Sequence, residues 1–146
     1  MTYNANIIAK YIITYCSKIG TPISNLKLQK ILYYAWVEYF KKTGKELYDN
    51  SICAWQLGPV VPDVYFNFCQ FGGKAIDRNY DNELDLISTD DHEVISEIVK
   101  QYVLYSASRL VDMTHASGGA WDITYKNGAG NKKIIPFHLI KEKECG

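Results

Sequence analysis

The feature that most constrains this chain is a short apolar segment with two prolines, residues 54–65 (AWQLGPVVPDVY). Pro59 and Pro62 stand too close together for both to lie inside one helix or a central strand, because each fixes its own φ and lacks a backbone N–H. The backbone must therefore turn here. Surface turns are usually built from Gly, Asn, Asp and Ser, whereas this one carries valines between aromatic residues. We predict a packed hinge, with Pro62 in the first turn of a following helix.

Length and composition indicate one globular domain. The chain has 146 residues, of which 47% are hydrophobic and 22% charged, which is enough to form a core and unlike a disordered chain. We therefore expect a single domain over residues 1–146. The 12 tyrosines and 3 tryptophans are unusual for this length. Because tyrosine is amphipathic, such an excess is typical either of a contact surface or of a Tyr-rich core and rim.

Charge separates along the sequence although the total cancels. Sixteen basic and sixteen acidic residues give a net charge of zero, which argues against a nucleic-acid partner bound by bulk electrostatics. Residues 1–48 carry seven lysines against two glutamates, a local +5, whereas residues 77–97 carry eight acidic residues against one arginine, a local −7. We interpret these segments as two solvated faces, in preference to a patch that steers a partner.

The N-terminus has no basic region before a continuous apolar run, so we expect no signal peptide. No apolar stretch reaches the ~20 residues of a membrane span, and we expect no membrane partner. These features predict a cytoplasmic protein.

Apolar periodicity predicts a mainly α fold, a single compact multi-helix domain. The strongest pattern covers residues 25–43, with Ser24 as its N-cap and Gly44 at its end. Further helices are expected at 5–19, 62–71, 89–105, 109–114 (capped by Ser108), 120–125 and 133–143. Two short extended pieces around a turn at 49–51 predict a minor β-hairpin near residues 46–55.

No catalytic constellation stands out. The four cysteines and three histidines lack metal-ligand spacing, and the glycine pairs are too short for a nucleotide-binding loop. We therefore expect no metal, no cofactor and no enzymatic activity. The alternative is a hydrolase in which His115 acts with Asp112 or Asp122. We favour a structural, hydrogen-bonded histidine over that alternative.

Three blocks in order resemble the Panacea domain, a family also described as SocA-like or phage-associated GepA-like. The first is residues 28–36 (LQKILYYAW), the second is residues 54–65 with Gly-Pro-Val followed by a tyrosine, and the third combines Leu110, Thr114-His115 and Trp121. The resemblance spans residues 6–140. One departure is Ala120, which stands where many relatives have a proline.

The resemblance implies an antitoxin that neutralises a cognate protein toxin, encoded next to it, by direct binding. In the SocA-like branch it implies instead an adaptor that presents its toxin to a cytoplasmic protease. A phage-encoded interaction protein that acts on a host factor is a further alternative. All three agree with a neutral chain that is rich in aromatic residues and has no catalytic set.

Two groups of residues follow as site predictions. The expected partner surface is formed by Tyr33, Tyr34, Trp36, Trp55, Val60 and Val61. The residues that carry the resemblance are interpreted mainly as structural: Leu28, Gln29, Trp55, Gly58, Pro59, Pro62, Tyr65, Thr114, His115 and Trp121. We expect Gly58→Val to distort or unfold the protein, because a β-branched side chain is poorly tolerated at a Gly-Pro turn.

Overall fold

The chain is built around one central helix, α2 (Asn25–Thr43). In the computed structural model, which describes residues 2–146, the helix begins where the Ser24 hydroxyl accepts a hydrogen bond from the N–H of Lys27 (3.2 Å). It ends at Gly44, whose φ of 73° is left-handed. Twelve of its nineteen residues are buried. A helix buried on nearly all sides must be covered by several neighbours, and α2 contacts most of the other elements.

Seven α-helices and one two-stranded sheet form within residues 2–146, so the mainly helical prediction is confirmed. The remaining elements are α1 (Ala5–Lys18), β1 (Cys53–Trp55), β2 (Gly58–Val60), α3 (Pro62–Phe68), α4 (Thr89–Tyr102), α5 (Ala107–Thr114), α6 (Ala120–Tyr125) and α7 (Phe137–Glu144). Short 3-10 turns lie at Cys69–Phe71, Asp81–Leu86 and Lys126–Gly128. Buried side chains from most of these elements form one hydrophobic cluster.

The hairpin lies later in the chain than the sequence suggested, and this part of the prediction is corrected. β1 lies at the end of the predicted range, but it pairs forward with β2, with Ala54 opposite Pro59 and Trp55 opposite Gly58. Residues 45–48 form no strand; Tyr48 makes only an isolated bridge to Tyr3. The forward turn is possible because Gly58 adopts a φ of 114°, which side-chain-bearing residues rarely reach.

A third extended segment, residues 133–135, lies along the free edge of β1. The N–H of Ala54 donates to the carbonyl of Lys133 (2.8 Å), and the N–H of Ile135 donates to the carbonyl of Ile52 (2.8 Å). The terminal helix expected within 133–143 forms as α7, but residues 133–135 are not part of it, and Pro136 is its N-cap rather than a residue of its first turn. Backbone pairing with β1 holds residues 133–135 extended.

Further boundaries differ from the sequence prediction, among them the end of α4, which lies at Tyr102 rather than at residue 105. The N-cap of α5 is Ser106 rather than Ser108, because its hydroxyl accepts from the N–H of Arg109 (3.0 Å). The helix after Pro62 ends at Phe68 and continues to residue 71 only as a 3-10 turn.

The oppositely charged segments partly face each other. Lys10 on α1 donates to Glu83 (3.0 Å), and Lys18 is paired with Asp81. Ser17 also bonds to Asp77. Part of the acidic segment is thus folded against α1. None of the helices in the described range is long and apolar enough to cross a membrane.

Candidate partner-binding site

The outer edge of β2 is closed by side chains of α2. An edge strand leaves backbone groups that need partners when they are buried. Here the Lys30 ammonium donates to the carbonyl of Pro59 (2.9 Å), and the N–H of Val61 donates to Oε1 of Gln29 (2.9 Å). All four residues are buried. The first and second sequence blocks therefore meet through hydrogen bonds between helix side chains and the hairpin backbone.

The same polar network continues to α3. Nε2 of Gln29 donates to Oδ1 of Asn25 (3.0 Å), and Nδ2 of Asn25 donates to the carbonyl of Tyr65 (3.1 Å). Asn25 is only 3% exposed and Gln29 only 1%. Buried amides are retained where their hydrogen bonds are made, and this chain of bonds fixes both ends of the Pro59–Pro62 segment against α2.

Gly58 is the point where three elements come closest. A Cβ at this position would lie 2.6 Å from Oγ1 of Thr114 and 3.1 Å from Cε of Lys30. Only a residue without a side chain fits between α2 and the end of α5. The first two blocks thereby also meet the third.

Trp121 fixes the hairpin from the other side. Its indole N–H donates to the carbonyl of Trp55 (2.8 Å), and its ring stacks on His115 with centroids 3.8 Å apart and an interplanar angle of 3°. Burial, and next the charge of Lys30, lowers the pKa of His115. Its Nε2 is buried and has no hydrogen-bond partner among residues 2–146.

The pairing that a His-dependent hydrolase requires is not formed within the described residues. The Asp122 carboxylate accepts a hydrogen bond from the N–H of Gly118 (2.9 Å), and among residues 2–146 no hydrogen bond joins the His115 ring to the carboxylate of Asp112 or Asp122. The Thr114 hydroxyl donates to the carbonyl of Val111 (2.7 Å). The ring of His115 instead serves as a stacking surface for Trp121.

A cleft of about 320 Å³ opens between the start of α2 and the hairpin tip. Its floor includes Asn25, Gln29 and Lys30, and its walls include Trp55, Leu57 and Tyr65.

Four side chains form an apolar surface at the edge of the cleft, which we call the aromatic rim: Trp55, Leu57, Tyr65 and Phe66. The first three of them also line the cleft. The ring centroids of Trp55 lie 4.9 Å from Tyr65 and 6.1 Å from Phe66. Leu57 is 52% exposed and Phe66 62%. The Lys132 ammonium lies 5.7 Å from the centroid of Trp55, which adds a cationic group at one side.

The residues expected at the partner surface occupy different environments. Tyr33, Tyr34 and Trp36 are buried under the neighbouring helices, and Val60 and Val61 are buried beneath the hairpin. Trp55 is the one residue of the six that is only partly buried, and it belongs to the rim. The other five are buried, although Val60 also lines the cleft.

Sequence reasoning did not single out Asn25, Lys30, Leu57 or Phe66. Lys30 and Leu57 lie within the first two blocks, and Phe66 directly follows the second. Their proximity to those blocks was the available signal. Lysine is usually exposed and phenylalanine usually buried. The burial of Lys30 and the exposure of Phe66 therefore become visible only in the fold.

Comparison with known proteins shows a family to which the chain is similar. The model of the family "Antitoxin SocA-like, Panacea domain" matches residues 28–122, which include all the contacts between blocks described above. A curated protein named Antitoxin SocA, from Caulobacter vibrioides (strain NA1000 / CB15N), is 36% identical in a 137-residue alignment that covers 87% of this chain and 72% of that protein. No solved structure matches the chain.

Proposed function

Because the chain belongs to the SocA-like antitoxin family with a Panacea domain, we propose that it is an antitoxin that neutralises a protein toxin by binding it directly. The toxin is a cognate protein encoded next to it, and the complex forms through the hairpin tip. Neutralisation of this kind needs a stable complementary surface and no catalytic group.

The aromatic rim is the observation that supports this proposal. Large apolar side chains that cluster at the surface mark protein interaction sites, and aromatic residues are enriched among those that dominate binding energy. Phe66 and Leu57 are exposed next to the partly buried rings of Trp55 and Tyr65. Removing this surface from water on complex formation would supply the main favourable free energy.

The rim is also held rigidly. The carbonyl of Trp55 is fixed by Trp121, the carbonyl of Tyr65 by Asn25, and the strand between them by Gln29 and Lys30. A surface ordered before binding loses less conformational entropy in the complex, which favours tight association. This is how a network of structural residues would contribute to recognition without touching the toxin.

The test is co-expression with the product of the adjacent gene. We expect that product to arrest growth alone, and the wild-type protein to restore growth and to co-purify with it. Leu57→Glu and Phe66→Glu should each weaken the complex by about tenfold or more, because a charge would be placed in an apolar interface. Their free energy of unfolding should change by no more than about 0.5 kcal/mol, since both side chains are exposed.

The matched control is Leu104→Glu. Leu104 is 84% exposed in the turn between α4 and α5, outside both the cleft and the rim. This variant should bind and rescue like the wild type. A neighbouring gene product that is neither toxic nor bound would contradict the proposed function. Equal loss of binding in all three variants would contradict the rim as its site.

A further inference from the structure

Lys30 is buried without a counter-ion. The residue is 0% exposed, its ammonium donates one hydrogen bond, to the carbonyl of Pro59, and no carboxylate within residues 2–146 pairs with it. An ammonium carries three donors, and a buried charge without an opposite charge is costly. A role in closing the edge of β2 needs only one of the three donors.

Lys30 is one of the residues that line the cleft, and this lining favours an anion. Lys30 shares the cleft floor with Asn25 and Gln29, and no Asp or Glu lines the cleft. The cleft also opens at the first turn of α2, a 19-residue helix, where unpaired N–H groups carry the positive end of the dipole. Each floor amide makes one donor bond within the network, which leaves its second N–H available.

We infer that this cleft receives the carboxylate of an acidic side chain of the toxin, with Lys30 as its ion-pair partner. The inference rests on the proposed function and names the chemistry of the partner at that site. The apolar walls, Trp55, Leu57 and Tyr65, would hold the hydrocarbon part of the acidic residue and an apolar neighbour. A carboxylate only accepts hydrogen bonds. It therefore complements the unused donors of the cleft floor, which are those of the Lys30 ammonium and the second N–H of each side-chain amide.

No neighbouring group among residues 2–146 supplies the negative charge that would neutralise Lys30. On the α5 side it faces the Thr114 hydroxyl, which donates to Val111, and the His115 ring, whose pKa burial and Lys30 lower. From the cleft side it faces Tyr65. The pKa of Lys30 itself is lowered to about 7 by burial, so a bound carboxylate would raise it again and complex formation above that pH would take up a proton.

The first experiment uses small probes on the protein alone. 3-Phenylpropionate carries a carboxylate beside an aromatic ring, and 3-phenylpropanamide is its uncharged counterpart. In an NMR titration at pH 6.5 we expect the acid to shift the Trp55 indole and Gln29 amide signals, with an affinity about tenfold or more above that of the amide. Equal binding of the two probes, or binding of neither, would overturn the inference. Neither result depends on the identity of the toxin or on a variant that must fold.

The second experiment uses Lys30→Met against the matched control Lys27→Met. Lys27 lies on the same helix and also donates to a buried backbone carbonyl, that of Val103 (2.8 Å), but it does not line the cleft. Lys30→Met should remove the preference for the acid and weaken binding of the adjacent gene product about tenfold or more. Lys27→Met should change neither. If Lys30→Met binds that product as tightly as Lys27→Met, the carboxylate inference fails while the antitoxin proposal stands. If the wild-type protein does not bind the product at all, the proposed function fails and the probe titration still decides on the cleft.

Discussion

Lys30 lies in the core with its ammonium bonded only to the carbonyl of Pro59, and this arrangement links stability to pH. In the unfolded chain a lysine keeps its proton up to about pH 10.5, whereas burial lowers the pKa of folded Lys30 to about 7. Between these values the unfolded state binds more protons than the folded state. The free energy of unfolding therefore rises with pH across that window, and below about pH 7 the cost of burying the charge is present in full.

Lys30→Met tests this linkage. Relative to the variant, the wild type should gain about 2 to 3 kcal/mol of unfolding free energy between about pH 6 and about pH 9. Methionine has no titrating group and fits the space of the lysine stem, but it leaves the carbonyl of Pro59 without its donor, so the two proteins are compared by how their stability changes with pH and not by its absolute value. Urea unfolding of both proteins at both pH values measures the difference. Tyrosines and cysteines titrate in both proteins alike, so their contribution cancels in the comparison. Parallel pH profiles would show that Lys30 stays charged at little cost in the folded state.

Gly58 is constrained by both its backbone and its neighbours. Its φ of 114° disfavours any side chain, and a Cβ would lie 2.6 Å from Oγ1 of Thr114. Gly20, with φ of 77° and nothing within 4 Å of its added Cβ, has only the first constraint. We expect Gly58→Ala to cost about 3 kcal/mol and Gly20→Ala about 1 kcal/mol, since a clash and backbone strain add.

Denaturant midpoints of the two alanine variants measure this difference, and Gly58→Val should be worse than Gly58→Ala. If both variants lose the same small amount of unfolding free energy, α5 can move away from the added Cβ, and close packing does not require a glycine at position 58.

At the scale of elements, the hairpin depends on α2 more than on its own two strands. Each strand has three residues, and an isolated two-stranded hairpin is at best marginally stable in water. Gln29 supplies the acceptor for Val61, while residues 133–135 pair with the other edge. The hairpin is therefore stable only where α2 and the segment before α7 enclose it.

Gln29→Met isolates that dependence. The substitution keeps the length of the side chain but leaves the buried N–H of Val61 without an acceptor, which should cost about 1 to 3 kcal/mol. Amide hydrogen exchange should accelerate at Val61 and along β2 more than along α1 or α4. The matched control, Gln56→Met, replaces an exposed glutamine of the hairpin turn and should leave exchange and stability nearly unchanged. Unchanged exchange at Val61 in Gln29→Met would show that the hairpin does not need α2.

The helices were accessible to prediction because their determinants are local. The apolar spacing of α2, its Ser24 cap and Gly44 at its end all lie within about twenty residues, and the predicted range of 25–43 matches the element. The hairpin was not accessible in the same way. Pro59 lowers the expectation of a strand, and its carbonyl finds a partner only from a side chain 29 positions away in sequence.

The candidate site, too, could be predicted only in part. The resemblance identified Gln29, Gly58 and Trp121 as a group, and the structure brings them to the hairpin. It did not tell exposed rings from buried ones. Trp36 and Phe66 are both aromatic residues within predicted helices, but α2 is covered by several helices whereas Phe66 lies on the outer face of α3, so Trp36 is 0% and Phe66 62% exposed. Such differences depend on tertiary packing and have no local signal.

At the scale of the whole molecule, three blocks from distant parts of the chain assemble one surface. The helix carrying Gln29 and Lys30, the hairpin, and the helix carrying Trp121 converge so that the aromatic rim faces outward. Part of the acidic segment meanwhile folds onto α1. The molecule is neutral overall, so we expect recognition to depend on apolar contact and on Lys30, with little dependence on ionic strength.

The most direct measurement is hydrogen–deuterium exchange of the protein alone and in complex with the product of the adjacent gene. We predict that binding protects residues 55–66 and the first turn of α2, and that exchange along α1 and at the turn between α4 and α5 stays the same. Leu57→Glu should remove the protection together with the binding. If binding instead protects α4 or α1 and leaves exchange at residues 55–66 unchanged, the toxin does not bind at the aromatic rim.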